Sequence, residues 1–534
     1  MSLAKAFTTI SGLTMLSRVV GFIRDSMLAA VLGAGPIADA FLVAFRLPNF
    51  FRQFFGEGTF NAAFVPQYTK CLKNDGKQGA LLFAEQALAV LVTVLIPFLL
   101  LVEIGMPYVI HAFASGFGSK PDVLALAIDF CRITFPYLFF VSLVTLLSSL
   151  LNAHERFAVP ASMPTLLNAV MILAMLLRVG DAAVAGYWLS WSITLAGVLQ
   201  LAWCWRACKK AGVQPRLRRP ALTPEVRTML RRMVPVSLGA GGLYLSVIID
   251  MQLASYLDQG AISYLYFADR LNQLPLGVIG VALGTSLIPL LSKKLADGDH
   301  QGSHHIQNRA IELGLAITLP AAIGLLLLAF PIIVTLFQRG KFLPTDAIAT
   351  AATLQAYVIG LPAYVLIKVF TPGFYAHGDT RTPVKIALAG LGASLILKLL
   401  LIWPMAQVGI ALATALSSWG NVAALAWLSH KRGYWLGDFR LRNTLQKIVI
   451  AALSMALLLA LTRPLLTPYL DGHLLAKVIG LGVIIAAASA LYFLLLGWMR
   501  VYAWGDLARF NPLKGKSKRK AKASNSNQNN TLEP

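Results

Sequence analysis

Seven ionisable residues, Arg18, Arg24, Asp25, Asp39, Arg46, Arg52 and Glu57, interrupt stretches of the N-terminal region that are otherwise apolar, such as TISGLTMLS, MLAAVLGAG and ADAFLVAF. Guanidinium groups make paired, planar hydrogen bonds to carboxylates and phosphates, so arginines held in apolar surroundings suit anion recognition. An ionised side chain at the centre of a bilayer costs about 2.5–3.5 kcal/mol or more, and such residues mark functional sites. Helical spacing places Ser11, Thr14, Arg18, Gly21 and Asp25 on one stripe with Arg24 at its flank. Asp39, Arg46, Asn49, Gln53 and Glu57 form a second stripe, with Arg52 beside it. Pro48 is expected to kink the second helix and free a carbonyl toward the cavity. Further along, Arg270, Gln273, Gly277, Gly280 and Gly284 share a face, and Lys368 sits within YVLIKVFTPG. Pairs such as Arg24 with Asp25 or Arg18 with Asp39 would neutralise part of this charge. The cations Arg18, Arg24, Arg46, Arg52, Arg270 and Lys368 still outnumber Asp25, Asp39, Glu57 and Asp269, which predicts an anionic substrate carrying phosphate or diphosphate.

These side chains need a membrane-embedded scaffold to hold them. The chain has 534 residues, 57% of them hydrophobic and 13% charged, against about 25% charged in soluble proteins. Apolar windows fall near 10–32, 37–56, 80–105, 128–151, 159–178, 184–206, 233–257, 263–291, 310–337, 347–371, 384–403, 407–429, 445–465 and 475–498. Each can cross about 30 Å of hydrocarbon, predicting an all-α polytopic membrane protein of fourteen transmembrane helices. The first window holds Arg18 and Arg24 and lacks a small-residue cleavage site, so it is expected to be retained rather than removed as a signal peptide. Alternate connections differ in charge. One set carries Lys70, Lys73 and Lys77, Arg156, the stretch from Lys209 to Arg232, Lys293 and Lys294, Arg381, and the stretch from Lys431 to Arg442. The positive-inside rule puts that set and both termini in the cytoplasm. The net charge of +23 is read through the same rule and gives no reason to expect nucleic acid. Cys71, Cys131, Cys204 and Cys208 show no disulfide framework, and Cys204 with Cys208 lacks the partners of a zinc site.

The sequence also repeats. NAHERFAVP (152–160) recurs as YAHGDTRTP (375–383), aligning His154 with His377; FVPQYTK aligns with LIPLLSK, VAFRLPN around Arg46 with FADRLNQ around Arg270, and Asp25 with Asp250, all at offsets of 223–225 residues. Six helices separate equivalent points, so the copies insert in the same orientation, a transporter design with substrate between the halves. The expected organisation is an N-terminal lobe (1–207), a basic cytoplasmic linker (208–232), a C-terminal lobe (233–430), two further helices (431–500) and a basic, disordered tail (501–534) attracted to anionic membrane lipids. Asp250 and Lys398 lie deep in apolar runs and admit two readings: Lys398 snorkels to the membrane edge, or it pairs with Asp250. No G-x-x-x-x-G-K-[ST] run is present, and no aspartate-rich acid/base or metal cluster that would suit an enzyme acting on isoprenoid phosphates, so no catalytic site and no cofactor are expected. His154 and His377 read as turn residues.

The segments SRVVGFIRD, ADAFLVAFRLPNFFRQFFGEGTFNAAFVP, YFADRLNQLPLGVIGVALGTSLIPLLSK and KVFTPGFYAHGDTRTPVKIAL resemble those of MurJ/MviN-type lipid II flippases, of the multidrug/oligosaccharidyl-lipid/polysaccharide exporter superfamily. The resemblance runs from about residue 1 to 500 and is most specific over 17–66. It implies two six-helix lobes around a central cavity, two C-terminal helices forming a groove for the undecaprenyl tail, and lipid II as the substrate in peptidoglycan synthesis, with the cell-wall synthesis machinery as a partner. Arg18, Arg24, Arg52 and Arg270 match cavity arginines of the family; Asp39, Arg46, Glu57, Asp269 and Lys368 also fall on family positions. The resemblance further implies alternating access, with Arg18, Arg24, Arg52 and Arg270 holding the diphosphate and Asp25 and Asp39 competing for them on release. Two departures stand out. Some relatives have Glu at the position of Gln273. Some bind sodium through an Asp matching Asp250, a helix-eleven Asn/Asp pair and a Thr matching Thr414; here that pair is Ser394 and Lys398, so Lys398 is expected to substitute for the ion. A polysaccharide or multidrug exporter of the same superfamily is the alternative, although a cation exporter would need an acidic or aromatic cavity.

Overall fold

The computed structural model describes residues 3–55, 59–177, 181–470 and 472–501. Glu57 and all but the first residue of the expected C-terminal tail lie outside them. The described residues are helical and include no strand. The first half contains α1 (Leu3–Leu32), α2 (Pro36–Phe55), α3 (Thr59–Asn74), α4 (Gly76–Ile104), α5 (Met106–Phe113), α6 (Pro121–Thr134), α7 (Tyr137–Ala153), α8 (Ala158–Leu176) and α9 (Ala182–Lys210). There follow α10 (Pro224–Ser255), α11 (Ala261–Ala296), α12 (His300–Leu327), α13 (Ala329–Leu336), α14 (Pro344–Ile359), α15 (Leu361–Ala376) and α16 (Arg381–Lys431). The last are α17 (Phe439–Thr462), the one-turn α18 (Thr467–Leu470) and α19 (Leu474–Trp498).

Among the described residues nine helical stretches are long and apolar enough to cross a membrane. One of them, Arg381–Lys431, covers two expected spans, with a break at Ala406, whose φ of 48° leaves the helical region. The four expected spans outside those nine correspond to α1, α2, α10 and α11, which carry Arg18 to Arg52, Asp250 and Arg270.

Helix starts follow local chemistry. Asp181, Asp299 and Asp438 each accept a backbone N–H two or three residues into the following helix, at 3.0, 2.7 and 2.6 Å, and Thr223 precedes Pro224 at the first helical position of α10. Breaks recur with the repeat. Gly105 separates α4 from α5 and Leu328 separates α12 from α13, while Phe135–Pro136 separates α6 from α7 and Gly360 separates α14 from α15. The expected single spans near 128–151 and 347–371 are each built from two consecutive helices that together make one apolar stretch, Pro121–Ala153 and Pro344–Ala376. The TPG stretch (371–373) lies inside continuous helix; the interruption sits upstream at Gly360.

Pro48 behaves differently from expectation. α2 continues through it, and the carbonyl it frees, on Ala44, accepts a hydrogen bond from Thr134 Oγ1 of α6 at 3.0 Å. That oxygen is taken by a neighbouring helix and does not face a cavity.

The chain divides into two compact units. The first comprises residues 1–272, 333–357 and 387–417. Its core packs Phe60, Phe64, Tyr68, Phe83, Leu147 and Leu151 from α3, α4 and α7. The second comprises residues 273–332, 358–386 and 418–534, with a core around Leu291, Ile311, Phe370, Phe374 and Leu425. Each unit fastens one connecting segment to a helix. In the first, Glu85 of α4, 3% exposed, accepts the Arg216 backbone N–H at 3.0 Å and the Arg218 guanidinium. In the second, Arg309 of α12 holds Asp438 with two bonds of 2.8 and 3.0 Å. Beside it, Asn308 accepts Trp435 Nε1–H at 2.6 Å and donates to the Leu436 carbonyl at 3.0 Å. Glu85 and the adjacent Asn308 and Arg309 fall at corresponding points of the repeat, at offsets of 223 and 224 residues.

Candidate anion site

Asp25 is the focus of the charged residues in the first unit. It is 2% exposed, on α1, and its carboxylate contacts two arginines, its neighbour Arg24 and the distant Arg270. Arg24 approaches Oδ1 through Nη2 at 2.6 Å and Nε at 3.0 Å, while Arg270 of α11 approaches Oδ2 through Nε at 3.1 Å. Tyr266, one turn before Arg270 on α11, donates its hydroxyl to Asp25 Oδ1 at 2.8 Å. The Tyr266 hydroxyl oxygen in turn accepts from Arg24 Nη2 at 3.2 Å and Arg270 Nη2 at 2.9 Å. Arg24 Nη1 donates to Asn168 Oδ1 of α8 at 2.8 Å, and Asn168 in turn donates to the Ser17 carbonyl. Every nitrogen of Arg24 is thus engaged, and its side chain is buried, with its guanidinium 5.0 Å from the centre of the Phe45 ring. Arg270 is different: 36% of its side chain is exposed, so one of the two arginines on Asp25 can meet a ligand without rearrangement. Arg46 joins the group through aromatic contact, 5.3 Å from the centre of the Tyr266 ring.

The remaining expected residues fall elsewhere. Arg18 is exposed on α1, two turns before Asp25, and Arg52 is half-buried toward the end of α2. Asp39 is buried away from the arginines: it accepts the backbone N–H groups of Gly260 and Ser263 at 2.7 and 2.9 Å and the Ser263 hydroxyl at 2.6 Å. It therefore caps the start of α11. Asp269 is half-buried beside Arg270, and Lys368 is half-buried on α15 in the second unit.

The Lys398–Asp250 alternative resolves as a pair. Lys398 Nζ lies 2.5 Å from Asp250 Oδ1 and 3.3 Å from Ser246 Oγ, and the lysine side chain has no exposed surface, so it does not snorkel. The residues matching the sodium ligands of some relatives do not fit an ion here. A tethered ammonium already contacts the Asp250 carboxylate, and the Thr414 hydroxyl bonds back to its own helix at Ile410 O, 3.1 Å away.

Sequence reasoning missed Tyr266 and Asn168. Both are uncharged, and a tyrosine in an apolar helix reads as packing. The available signal for Tyr266 was its position four residues before Arg270, which puts the two side chains on one face.

Comparisons with known proteins bear on this geometry. The family model described as "Lipid II flippase MurJ" matches residues 28–480. A protein of Rhizobium meliloti (strain 1021) named "Probable lipid II flippase MurJ" is 41% identical over 503 residues, covering 92% of this chain and 93% of the relative. A Burkholderia cenocepacia protein named "Lipid II flippase MurJ" is 35% identical over 464 residues, covering 85% and 89%. Among solved structures, "Lipid II flippase MurJ, inward closed conformation" superposes with a TM-score of 0.73 at 24% identity, covering 91% of this chain and 98% of that one. An inward-facing multidrug resistance MATE family transporter of the MOP superfamily superposes with a TM-score of 0.63 at 14% identity, covering 80% of this chain and 97% of the other. At these identities the structural likeness establishes the fold.

Proposed function

The chain belongs to the lipid II flippase MurJ family, and on that premise we propose that it carries lipid II from the cytoplasmic to the periplasmic leaflet by alternating access. The observation that carries the site assignment is the buried Asp25 carboxylate, gripped by Arg24, Arg270 and Tyr266. A carboxylate held by two guanidinium groups occupies the place a phosphate oxygen would take. In the empty protein Asp25 holds the arginines; an arriving diphosphate meets the exposed Arg18 and Arg270 first, displaces Asp25 and gains Arg24. Arg52 and Arg46 extend the cationic surface. Release reverses the exchange, with Asp25 reclaiming its arginines so that the returning carrier does not hold uncompensated charge.

Asp39 supports this site at one remove by fixing the start of α11, the helix that carries Tyr266 and Arg270. Glu57, Asp269 and Lys368 are assigned to the cavity on family position. The lobes at 1–207 and 233–430, the linker at 208–232, the lipid-tail groove formed by 431–500, cytoplasmic termini, and contacts of the 501–534 tail with anionic lipids complete the proposed organisation. Transport would proceed without hydrolysis. Membrane potential supplies a sufficient drive in principle, about 2.3 kcal/mol per charge per 100 mV. The multidrug exporters share the fold, but a cavity that gathers guanidinium groups favours anions over cationic drugs.

Depletion in living cells tests the reading. When the chain is removed, lipid II should accumulate in the inner leaflet, accessible to cytoplasmic-side reagents only. Normal distribution between leaflets after depletion refutes the flippase assignment.

A further inference from the structure

We propose that Tyr266 is the positioning residue that gathers three arginines into one cluster, and thereby sets the preference for diphosphate over monophosphate ligands. This deepens the anion-site reading and rests on it.

Three guanidinium groups converge on this one side chain. Arg24 and Arg270 donate to its hydroxyl at 3.2 and 2.9 Å, and the Arg270 and Arg46 guanidinium carbons lie 4.8 and 5.3 Å from its ring centre. Like charges brought together in apolar surroundings repel, and Asp25 directly neutralises only Arg24 and Arg270. Tyr266 adds a phenolic oxygen that accepts from two arginines while donating to Asp25, and a π-face that attracts the third. The side chain is 3% exposed, so these contacts form away from competing water.

The internal repeat sharpens the point. Arg46 and Arg270 occupy equivalent positions at an offset of 224 residues, and the equivalent of Tyr266 is Leu42. One copy supplies an aromatic ring four residues before its arginine and the other a leucine. Both repeat-related arginines therefore share the single ring. A diphosphate presents two phosphoryl groups and needs cations spaced to meet both, whereas a monophosphate is satisfied by Arg270 with one neighbour. Arg46 has no hydrogen bond to the cluster among the described contacts; it meets the cluster through the Tyr266 ring and also interacts electrostatically with Asp250.

The test uses the full-length chain in detergent, titrated with geranylgeranyl diphosphate and geranylgeranyl monophosphate. The wild-type chain should prefer the diphosphate at least about tenfold. Tyr266→Phe keeps the ring and loses the hydroxyl, and should lower that preference about threefold. Tyr266→Leu loses both and should lower it about tenfold, close to no discrimination. A purely structural role would lower the thermal unfolding temperature and both affinities together, leaving the ratio unchanged. If Tyr266→Leu does not fold, Tyr266→Phe decides alone. A wild-type ratio in either folded variant overturns the proposal. A wild-type chain that binds both ligands equally overturns this proposal alone, whereas one that binds neither refutes the anion-site reading on which it rests.

Discussion

Replacing Asp25 with Asn removes the charge of the resident anion while keeping its shape. The carboxylate lies 2.6 Å from Arg24 and 3.1 Å from Arg270, with its side chain 3% exposed. Removing one partner of a buried ion pair costs about 3–5 kcal/mol, because the other charge is left uncompensated. Arg270 is one-third exposed and recovers part of its share from water, and the Asn amide oxygen still accepts one hydrogen bond. The lower end, about 3 kcal/mol, is the expected loss of stability in the empty protein. A bound diphosphate supplies the missing negative charge, so the same quantity returns on binding, equivalent to about a hundredfold gain in affinity. Transport should nevertheless fall, since nothing reclaims the arginines at release. Thermal unfolding of the full-length variant in detergent, with and without geranylgeranyl diphosphate, reads the first two effects; rescue of depleted cells reads the third. An Asn variant that is as stable as wild type when empty and binds the diphosphate no better would refute the displacement scheme.

Three further outcomes follow from other sites. Asp39→Ala should destabilise by about 2 kcal/mol, the upper end for a lost helix cap, and leave diphosphate affinity within about twofold; a large affinity loss at unchanged stability would make Asp39 a ligand instead. Lys398→Ala and Asp250→Ala should each cost about 3–5 kcal/mol, whereas Asp250→Lys with Lys398→Asp together should recover most of it. Harmless single changes would remove any role for the pair, and sodium-dependent transport would show that Lys398 does not stand in for the ion. His154, in the turn after α7, has its pKa pushed below the usual histidine value by burial, with Lys77 and Arg156 adding to the effect. The unfolded chain thus takes up the proton first, and stability should decline as pH falls from about 6.5 toward the lower folded-state value. His154→Gln should flatten that decline in a pH series of thermal unfolding, and an unchanged slope would count against it.

Local signals carried much of this architecture and long-range pairing carried the rest. Apolar windows located the helices because hydrocarbon length and helical rise are fixed quantities, and four sequence matches disclosed the repeat. Buried charge in apolar runs pointed to Arg24, Asp25 and Arg270 for the same reason: desolvation is costly wherever it occurs. Asp39 misled, since a carboxylate near arginines in sequence reads as their partner, whereas its hydrogen bonds go to Gly260 and Ser263, more than 220 residues away. Pro48 showed that a carbonyl would be freed, but not that Thr134 would take it. Tyr266 and Asn168 gave no charge signal. Their roles exist only once α1, α8 and α11 are brought together.

The two fastened connecting segments bear on how a duplicated chain assembles itself. During synthesis the arginine-rich segment around Arg216 and Arg218 meets two helices of similar sequence pattern, one presenting Glu85 and the other Arg309 at a corresponding point. Arg309 already has Glu312 and Asp438 as partners and Glu85 has Arg218, so each helix holds a connector of complementary sign. Opposite charges at equivalent points act as address labels, keeping each half from capturing its sibling's connector, a characteristic failure of repeated folds. Making the two labels alike, with Glu85→Arg, would be expressed less as a weaker protein than as a misassembled one.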